Sequence, residues 1–186
     1  LTSILYTDSA EELSLAKRAI DRDPTNSIVY FDLANVYFRA RRFSEAEQAV
    51  RMAIQLSPHS EGLPSLLASI LMYQGDPAAA LVELEQEPGE RWREGLRPQI
   101  LEALGRKQEA SAALAAFQEK YANTAPYAIA AVYARRGDLD HAFEWLERAY
   151  QRREFLLGFI GVDLDFSKLK PDPRFRVLLR KLNLPD

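Results

Sequence analysis

The sequence contains no cysteine, which excludes disulfide bonds and thiolate chemistry but leaves both cytosol and periplasm open as compartments. Long hydrophobic runs are missing as well. The longest apolar stretch, Leu63 to Tyr73, has eleven residues and is interrupted by Pro64 and two serines, so it is too short to span a bilayer. No signal peptide is visible at the start of the chain. We therefore expect a cytoplasmic protein, with the periplasm as the alternative.

An excess of one charge sign is also missing, because 24 basic residues stand against 27 acidic ones and the net charge is −3. This balance gives no general attraction to nucleic acid or to anionic membranes. Basic clusters occur at residues 39–42, 152–153 and 174–181, but acidic residues lie near each of them in the sequence, namely Glu45, Glu154 and Asp172, which favours solvated helix ends over a nucleic-acid patch. The few glycines and prolines separate Ala- and Leu-rich segments, a composition that favours helices throughout.

The stretch from Ser27 to Ser60 has the clearest periodicity in the chain. Tyr30, Leu33, Ala34 and Tyr37 fall on one face of a helix, and Ala46, Val50 and Ala53 fall on one face of a second. Residues 40–43 form the break between the two helices. Pro24 and Pro58 lie 34 residues apart and enclose one complete helix pair.

This stretch resembles a tetratricopeptide repeat, whose pattern has Trp, Leu, Gly and Tyr in the first helix and Ala, Phe and Pro in the second. Tyr30, Ala34 and Val50 stand at the Trp, Gly and Phe positions. The resemblance implies an all-α fold, a right-handed α-solenoid of antiparallel helix pairs in one domain with a C-terminal capping helix. We expect four to five repeats: residues 1–26 (partial), 27–60, 61–90, 91–122 and 123–154, followed by the cap at 155–186.

Small residues recur through these repeats, with Ala46, Ala80, Ala110 and Ala142 separated by 34, 30 and 32 residues. Close packing of helices accounts for them, since a larger side chain would overpack the interface. Asp76, Thr124 and Asp172 are predicted to cap helices, with a proline following each of them within the first turn. The repeat at 91–122 departs most from the pattern, because Arg97 and Pro98 replace Leu and Gly. Its first helix is expected to be kinked or to start late.

The C-terminal residues resemble a tail common in bacterial repeat proteins, in which a helix of the type AFEWLERAY precedes an ending of the type DPRFxxLL. The matching residues here are Ala142 to Tyr150 and Asp172 to Leu179. Residues 1–6 look like the last turns of a helix. We therefore interpret the sequence as the C-terminal part of a longer bacterial protein, multidomain or regulatory.

No group of residues predicts catalysis, and no cofactor is expected. The two histidines, His59 and His141, are far apart in the sequence, and the chain has no cysteine, so no metal site is predicted. Three carboxylate pairs are candidates for acid–base groups, and we interpret them as solvated charges or as turn and cap residues. They are Glu83 with Glu87, Glu144 with Glu147, and Asp163 with Asp165. The protein is expected not to be an enzyme.

The resemblance instead points to the concave face formed by the first helix of each repeat. Its positions include Ile28, Ser65, Met72, Gln99, Glu102 and Ala131, and the predicted partner-binding residues are Phe31, Asn35, Phe38, Arg39, Ser69, Tyr73, Trp92, Tyr127 and Arg135. Asn35 could hold a peptide backbone, and the arginines could pair with carboxylates. For Phe31, Phe38 and Tyr73, packing between helices is an equal alternative. Phe31 replaces the lysine with which this family holds the C-terminal carboxylate of chaperones, which argues against that ligand.

We therefore predict a non-catalytic scaffold for protein–protein interaction that binds a peptide segment or a partner helix. The alternative is an intrachain sensor, regulatory or self-association domain of a larger bacterial signalling or transcription-regulating protein. The apolar residues 155–160 could support a homodimer or could only cap the last repeat. Direct nucleic-acid binding and membrane insertion are not expected.

Overall fold

The computed structural model describes residues 9–185, which contain ten α-helices, two 3₁₀ helices and no β-strand. No helix in this range is long and apolar enough to cross a membrane. The α-helices are α1 (Ser9–Arg22), α2 (Ser27–Arg39), α3 (Phe43–Leu56), α4 (Leu63–Gln74), α5 (Pro77–Leu84), α6 (Glu90–Ala103), α7 (Lys107–Tyr121), α8 (Pro126–Arg136), α9 (Leu139–Gln151) and α10 (Pro173–Lys181). The 3₁₀ helices are Phe155–Phe159 and Leu164–Phe166. The predicted all-α fold of helix pairs is confirmed. The expected helix ends in residues 1–8 lie outside the described part.

The chain divides into two compact units, an N-terminal unit that ends at Ala110 and a C-terminal unit that begins at Ser111. In the N-terminal unit, α2 packs on α3 and α4 packs on α5, and the alanines at the predicted positions hold the helices together. Ala46 and Ala80 have no exposed surface, nor do Val50 and Leu67. The small alanine side chains allow the close approach, and the larger side chains around them supply the buried apolar area.

The turn between the two helices of each pair has one recurring geometry. Gly75, Gly105 and Gly137 have positive φ angles of 91°, 74° and 81°, and Arg41 occupies the same place in the first complete pair with φ of 58°. In each turn, the next residue donates its N–H to a carbonyl five residues back, as Arg42 does to Tyr37 at 2.9 Å. This bond closes the C-terminus of a helix when the turn residue is left-handed. Three of these positions carry glycine because it adopts this conformation without strain.

For the first helix of the irregular repeat, a kink or a late start was predicted. The helix begins at Glu90 and runs through Pro98 to Ala103, so the late start is wrong and the kink stays a prediction. A proline inside a helix removes one backbone hydrogen bond and costs about 3 kcal/mol. Burial of the next turn, where Ile100 and Leu101 are almost completely inaccessible, offsets that cost.

Helix caps agree with the prediction at two of three sites. Asp76 accepts the N–H of Ala79 at 2.9 Å, and Asp172 accepts the N–H of Arg174 at 2.9 Å. The predicted cap by Thr124 is wrong. Ala125 holds the N-cap position of α8, and its side chain makes no capping bond. A carboxylate distant in sequence, that of Glu154, accepts the N–H of Tyr127 at 2.9 Å instead. An alanine can stand there because Glu154 satisfies a helix-start amide.

The C-terminal unit is built on the pair α8 and α9, and the 3₁₀ helix Leu164–Phe166, within residues 154–172, lies against α8. We call residues 154–172 the crossing segment. Its Ile160, Phe166 and Leu169 have no exposed surface and belong to the same hydrophobic core as Ile129 and Leu146. Helix α10 adds Phe175, Leu178 and Leu179 to this core, while its basic residues Arg176 and Arg180 are exposed. The capping helix therefore has the amphipathic character that was predicted.

Candidate partner-binding face

The predicted residues on α2 and α4 come together in the N-terminal unit. We call Phe31, Asn35, Phe38, Arg39, Ser69 and Tyr73 the α2–α4 face. All six are partly accessible. The rings of Phe38 and Tyr73 meet edge to face, with centroids 5.2 Å apart. This contact holds α2 to α4 and leaves part of each ring exposed, so packing and recognition are compatible in these two aromatics.

A third ring, that of Phe43 at the start of α3, completes this aromatic cluster. Its centroid lies 5.8 Å from that of Phe38 and 5.8 Å from that of Tyr73. Phe43 fell in the predicted break between two helices and was not included among the face residues. An aromatic residue directly after an interhelical turn was the signal that could have identified it, because a large apolar side chain at a helix start needs cover.

The polar residues of the α2–α4 face are engaged within the chain. Asn35 donates its side-chain amide to the carbonyl of Phe31 at 3.0 Å, and Ser69 donates its hydroxyl to the carbonyl of Ser65 at 3.0 Å. Arg39 forms an ion pair with Glu12 of α1 at 2.8 Å. A partner carboxylate would therefore compete with Glu12 for Arg39. Such an exchange of carboxylates costs little when both ions are partly exposed to water.

Other positions of the predicted concave face are either buried or exposed outside the α2–α4 face. Ser65, Met72 and Gln99 are only 7%, 6% and 6% exposed, so they are parts of the interior. Trp92 on α6 is 40% exposed, and the guanidinium of Arg91 lies 5.0 Å from its ring centroid. Ile28 is 67% exposed at the start of α2. Access is therefore concentrated on the α2–α4 face and at Ile28 and Trp92.

The two predicted residues on α8, Tyr127 and Arg135, are covered by the crossing segment. Tyr127 is 5% exposed and donates its hydroxyl to Asp163 Oδ2 at 2.7 Å. Arg135 Nη1 lies 3.1 Å from Asp165 Oδ1. Asp163 and Asp165 were expected to be turn and cap groups, and Asp163 does cap the second 3₁₀ helix by accepting the N–H of Asp165 at 2.9 Å. Their contacts with α8 were not predicted.

Glu87 is the largest departure from the interpretation of the carboxylates as solvated. It is 1% exposed, and its carboxylate accepts the N–H groups of Gly62, Ser65 and Gly89 at 2.9–3.1 Å. Arg93 donates to its backbone carbonyl. A buried carboxylate surrounded by amide donors at a helix start is held by charge-assisted hydrogen bonds and by the helix dipole. Glu87 therefore organises the start of α4.

The two histidines have different surroundings. His141 Nδ1 lies 2.8 Å from Asp138 Oδ2, and its ring stacks on Tyr133 with centroids 5.0 Å apart. His59 is exposed. Across residues 9–185, no three carboxylate or imidazole side chains are grouped as metal ligands would be.

The apolar stretch at 155–160 is divided between surface and interior. Phe155 is 76% exposed and Leu156 37% exposed, whereas Leu157 and Ile160 are buried in the core of the C-terminal unit. The stretch therefore caps the core through Leu157 and Ile160. Self-association through the exposed residues stays a prediction.

The helix pairs are antiparallel, each turn contains a residue with a positive φ angle, and alanines pack between the helices. These features are typical of an α-solenoid. In the comparisons with known proteins, one tetratricopeptide-repeat model matches residues 15–48 and a second such model matches residues 128–163. These two segments are therefore identified as tetratricopeptide repeats. No curated protein matches the sequence.

Several solved structures share the fold. TTC0263 from Thermus thermophilus, a thermophilic TPR protein, is 18% identical with a TM-score of 0.60, over 81% of this chain and 86% of that one. MamA is 17% identical with a TM-score of 0.53, over 76% and 86%. YrrB, described as a TPR protein with an unusual peptide-binding site, is 21% identical with a TM-score of 0.50, over 95% and 84%. At these identities the likeness establishes the fold alone.

Proposed function

We propose that the chain is a non-catalytic interaction scaffold that binds a peptide segment or a partner helix on the α2–α4 face. The observation that carries this proposal is the accessible aromatic surface of Phe31, Phe38 and Tyr73, next to Asn35 and Arg39. Aromatic and arginine side chains contribute most of the binding energy at protein interfaces. The peptide-binding site of the similarly folded YrrB gives the proposal support from a protein of the same class.

The arrangement favours a ligand with an apolar side chain near a carboxylate. Phe38 and Tyr73 offer ring edges and faces for the apolar group, and Arg39 offers a guanidinium that already holds the carboxylate of Glu12. An Arg–carboxylate contact is charge-assisted and therefore adds orientation as well as affinity. Asn35 can turn its amide from the Phe31 carbonyl toward a peptide backbone, because the two hydrogen bonds are of the same kind.

The test is a selection from a random peptide library on the wild-type chain, followed by calorimetric measurement of each selected peptide. Replacing Asn35, Phe38 and Arg39 together by Ala is expected to weaken binding by about tenfold or more, since each residue belongs to the proposed contact. A matched control replaces Arg51, Met52 and Val82 by Ala, which removes exposed side chains of comparable size from α3 and α5.

Both variants are first checked for helical content and for the urea midpoint of unfolding. Equal affinity of the selected peptides for the wild type and for the Asn35/Phe38/Arg39 variant would refute the α2–α4 face as the binding site. A similar loss in the control variant would show that the effect is not specific to this face.

A further inference from the structure

The crossing segment is fastened to α8 by a cluster of ionisable side chains in the C-terminal unit. Tyr127 Oη and Asp163 Oδ2 are 2.7 Å apart, and Arg135 Nη1 and Asp165 Oδ1 are 3.1 Å apart. Lys168 Nζ donates to the carbonyl of Arg135 at 2.6 Å. These contacts join both ends of α8 to the crossing segment, because Tyr127 lies at the start of that helix and Arg135 near its end.

The carboxyl group of Asp163 contacts both α8 and its own segment, because it accepts the hydroxyl of Tyr127 at 2.7 Å and the N–H of Asp165 at 2.9 Å. Asp163 is partly accessible as a residue, but its carboxyl group lies beside the ring of Tyr127, which packs at 5.0 Å on the fully buried Phe166. Burial first, and then the charge of Asp165, raise the pKa of Asp163 to about 7. The N–H of Asp165, the hydroxyl of Tyr127 and the charge of Arg135 act in the opposite direction.

The charged groups around Asp163 come from two elements of the unit. Helix α8 supplies Arg135, and the crossing segment supplies Asp165 and Lys168. Glu154, at the beginning of the crossing segment, accepts the N–H of Tyr127. A negative charge on Asp163 therefore lies close to a second carboxylate, and burial of the group adds to the cost of ionising it.

We propose that Asp163 is a proton-dependent latch: it holds the crossing segment on α8 when it is protonated and loosens that segment when it ionises. The 2.7 Å contact with Tyr127 suits both states, because a protonated carboxyl can donate to the phenol oxygen and a carboxylate can accept its proton. The difference between the two states lies in the charge placed beside Asp165.

The sign of the effect follows from the direction of the shift. The pKa of Asp163 is about 7 in the folded chain and 3.8 for an unperturbed aspartate, so the folded state binds the proton more tightly. The stabilisation is therefore complete below the unfolded value and is lost as the pH rises through about 7. The apolar anchors Ile160, Phe166 and Leu169 have no exposed surface and do not titrate, so we expect the segment to loosen without detaching.

Loosening would increase access to Tyr127 and Arg135. Both occupy α8 positions that the sequence predicted to bind a partner, and both lie outside the α2–α4 face of the proposed function. The latch itself needs no partner. It can therefore be tested by a measurement that stays informative if the proposed function is wrong.

The experiment follows the carboxyl carbon of Asp163 and the exchange of the backbone amides of residues 157–169 by NMR, using the whole chain. From about pH 5.5 to about pH 8.5, we expect the Asp163 signal to titrate near neutrality. We also expect amide protection, corrected for the intrinsic pH dependence of exchange, to fall about thirtyfold, because the folded-state pKa of about 7 lies about 1.5 units above the starting pH.

Two variants sharpen the test. Asp163→Asn is neutral and nearly isosteric, and its protection should not change over this pH range. Asp165→Asn removes the neighbouring charge and should move the Asp163 titration to lower pH. Titration of Asp163 near its unperturbed pKa, or constant protection in the wild type, would overturn the proposal, and so would the wild-type loss of protection persisting in Asp163→Asn. If Asp163→Asn does not fold, the wild-type titration and Asp165→Asn decide the matter.

Discussion

Helices α2 and α8 carry the same repeat pattern but differ in what covers them. Phe31 and Arg39 of α2 occupy the repeat positions of Tyr127 and Arg135 of α8. Arg39 pairs with Glu12, which precedes it in the chain, and Arg135 pairs with Asp165, which follows it. Phe31 is partly accessible, whereas Tyr127 is 5% exposed because the crossing segment lies on it. An identical repeat position can therefore belong to a surface in one unit and to the interior in the other.

The two units also differ in how a distant glutamate satisfies the start of a first helix. Glu87 accepts the N–H groups of Gly62 and Ser65 at the start of α4 and that of Gly89 before α6, and Glu154 accepts one N–H at the start of α8. Replacement of Glu87 by Ala should destabilise the N-terminal unit by about 3 kcal/mol, because buried donors lose a charged acceptor. Replacement of Glu154 by Ala should cost about 1 kcal/mol in the C-terminal unit.

The two tryptophans allow each unit to be observed alone. Trp92 lies in the N-terminal unit and Trp145 in the C-terminal unit, so urea unfolding is followed by fluorescence in single-tryptophan backgrounds made by Trp→Phe replacement. Glu85→Ala is the control, since Glu85 is exposed and its pair with Arg97 should contribute less than about 1 kcal/mol. Equal losses for Glu87→Ala and Glu85→Ala would contradict the role assigned to Glu87.

A second comparison should show that the units are alike in their alanine contacts. Ala46 and Ala142 both have no exposed surface. Replacement of either by Leu should cost about 2 kcal/mol, because the larger side chain must fit into a close helix contact. The same fluorescence-detected unfolding measures both variants, with Ala78→Leu as an exposed helical control. A tolerated Ala142→Leu would mean that the C-terminal unit is packed less closely than the N-terminal one.

A small effect, and the only stabilising one, is expected at the turn after α2. Arg41 has φ of 58° where the other three pairs have glycine. Replacement by Gly should stabilise the N-terminal unit by about 1 kcal/mol, because a side chain in the left-handed region is strained. Gly75→Ala, in the corresponding turn with φ of 91°, should destabilise the same unit by a similar amount. Thermal unfolding of the two variants provides the measurement. A destabilising Arg41→Gly would show that the arginine side chain stabilises the fold by more than the strain at residue 41 costs.

Most of the helix pattern could be predicted from the sequence, because it depends on local signals. The spacing of Leu33, Ala34 and Tyr37, and the proline after Asp76 and Asp172, identify helix faces and helix starts from neighbouring residues alone. Thr124 was wrong as a cap for the opposite reason: the acceptor that replaces it, Glu154, is distant in sequence. Glu87 was missed because two of the amides that surround its carboxylate, those of Gly62 and Ser65, are distant in sequence.

The order of residues was enough to specify the helix faces that are buried and the alanine contacts between helices. These properties depend on spacing within one or two helices, where geometry follows directly from periodicity. Which faces remain accessible and which carboxylates are buried became evident only in the folded chain. Access depends on segments remote in sequence: the crossing segment encloses Tyr127 and brings Asp163 beside Asp165 and Arg135, and the pKa of a carboxyl group depends on that enclosure.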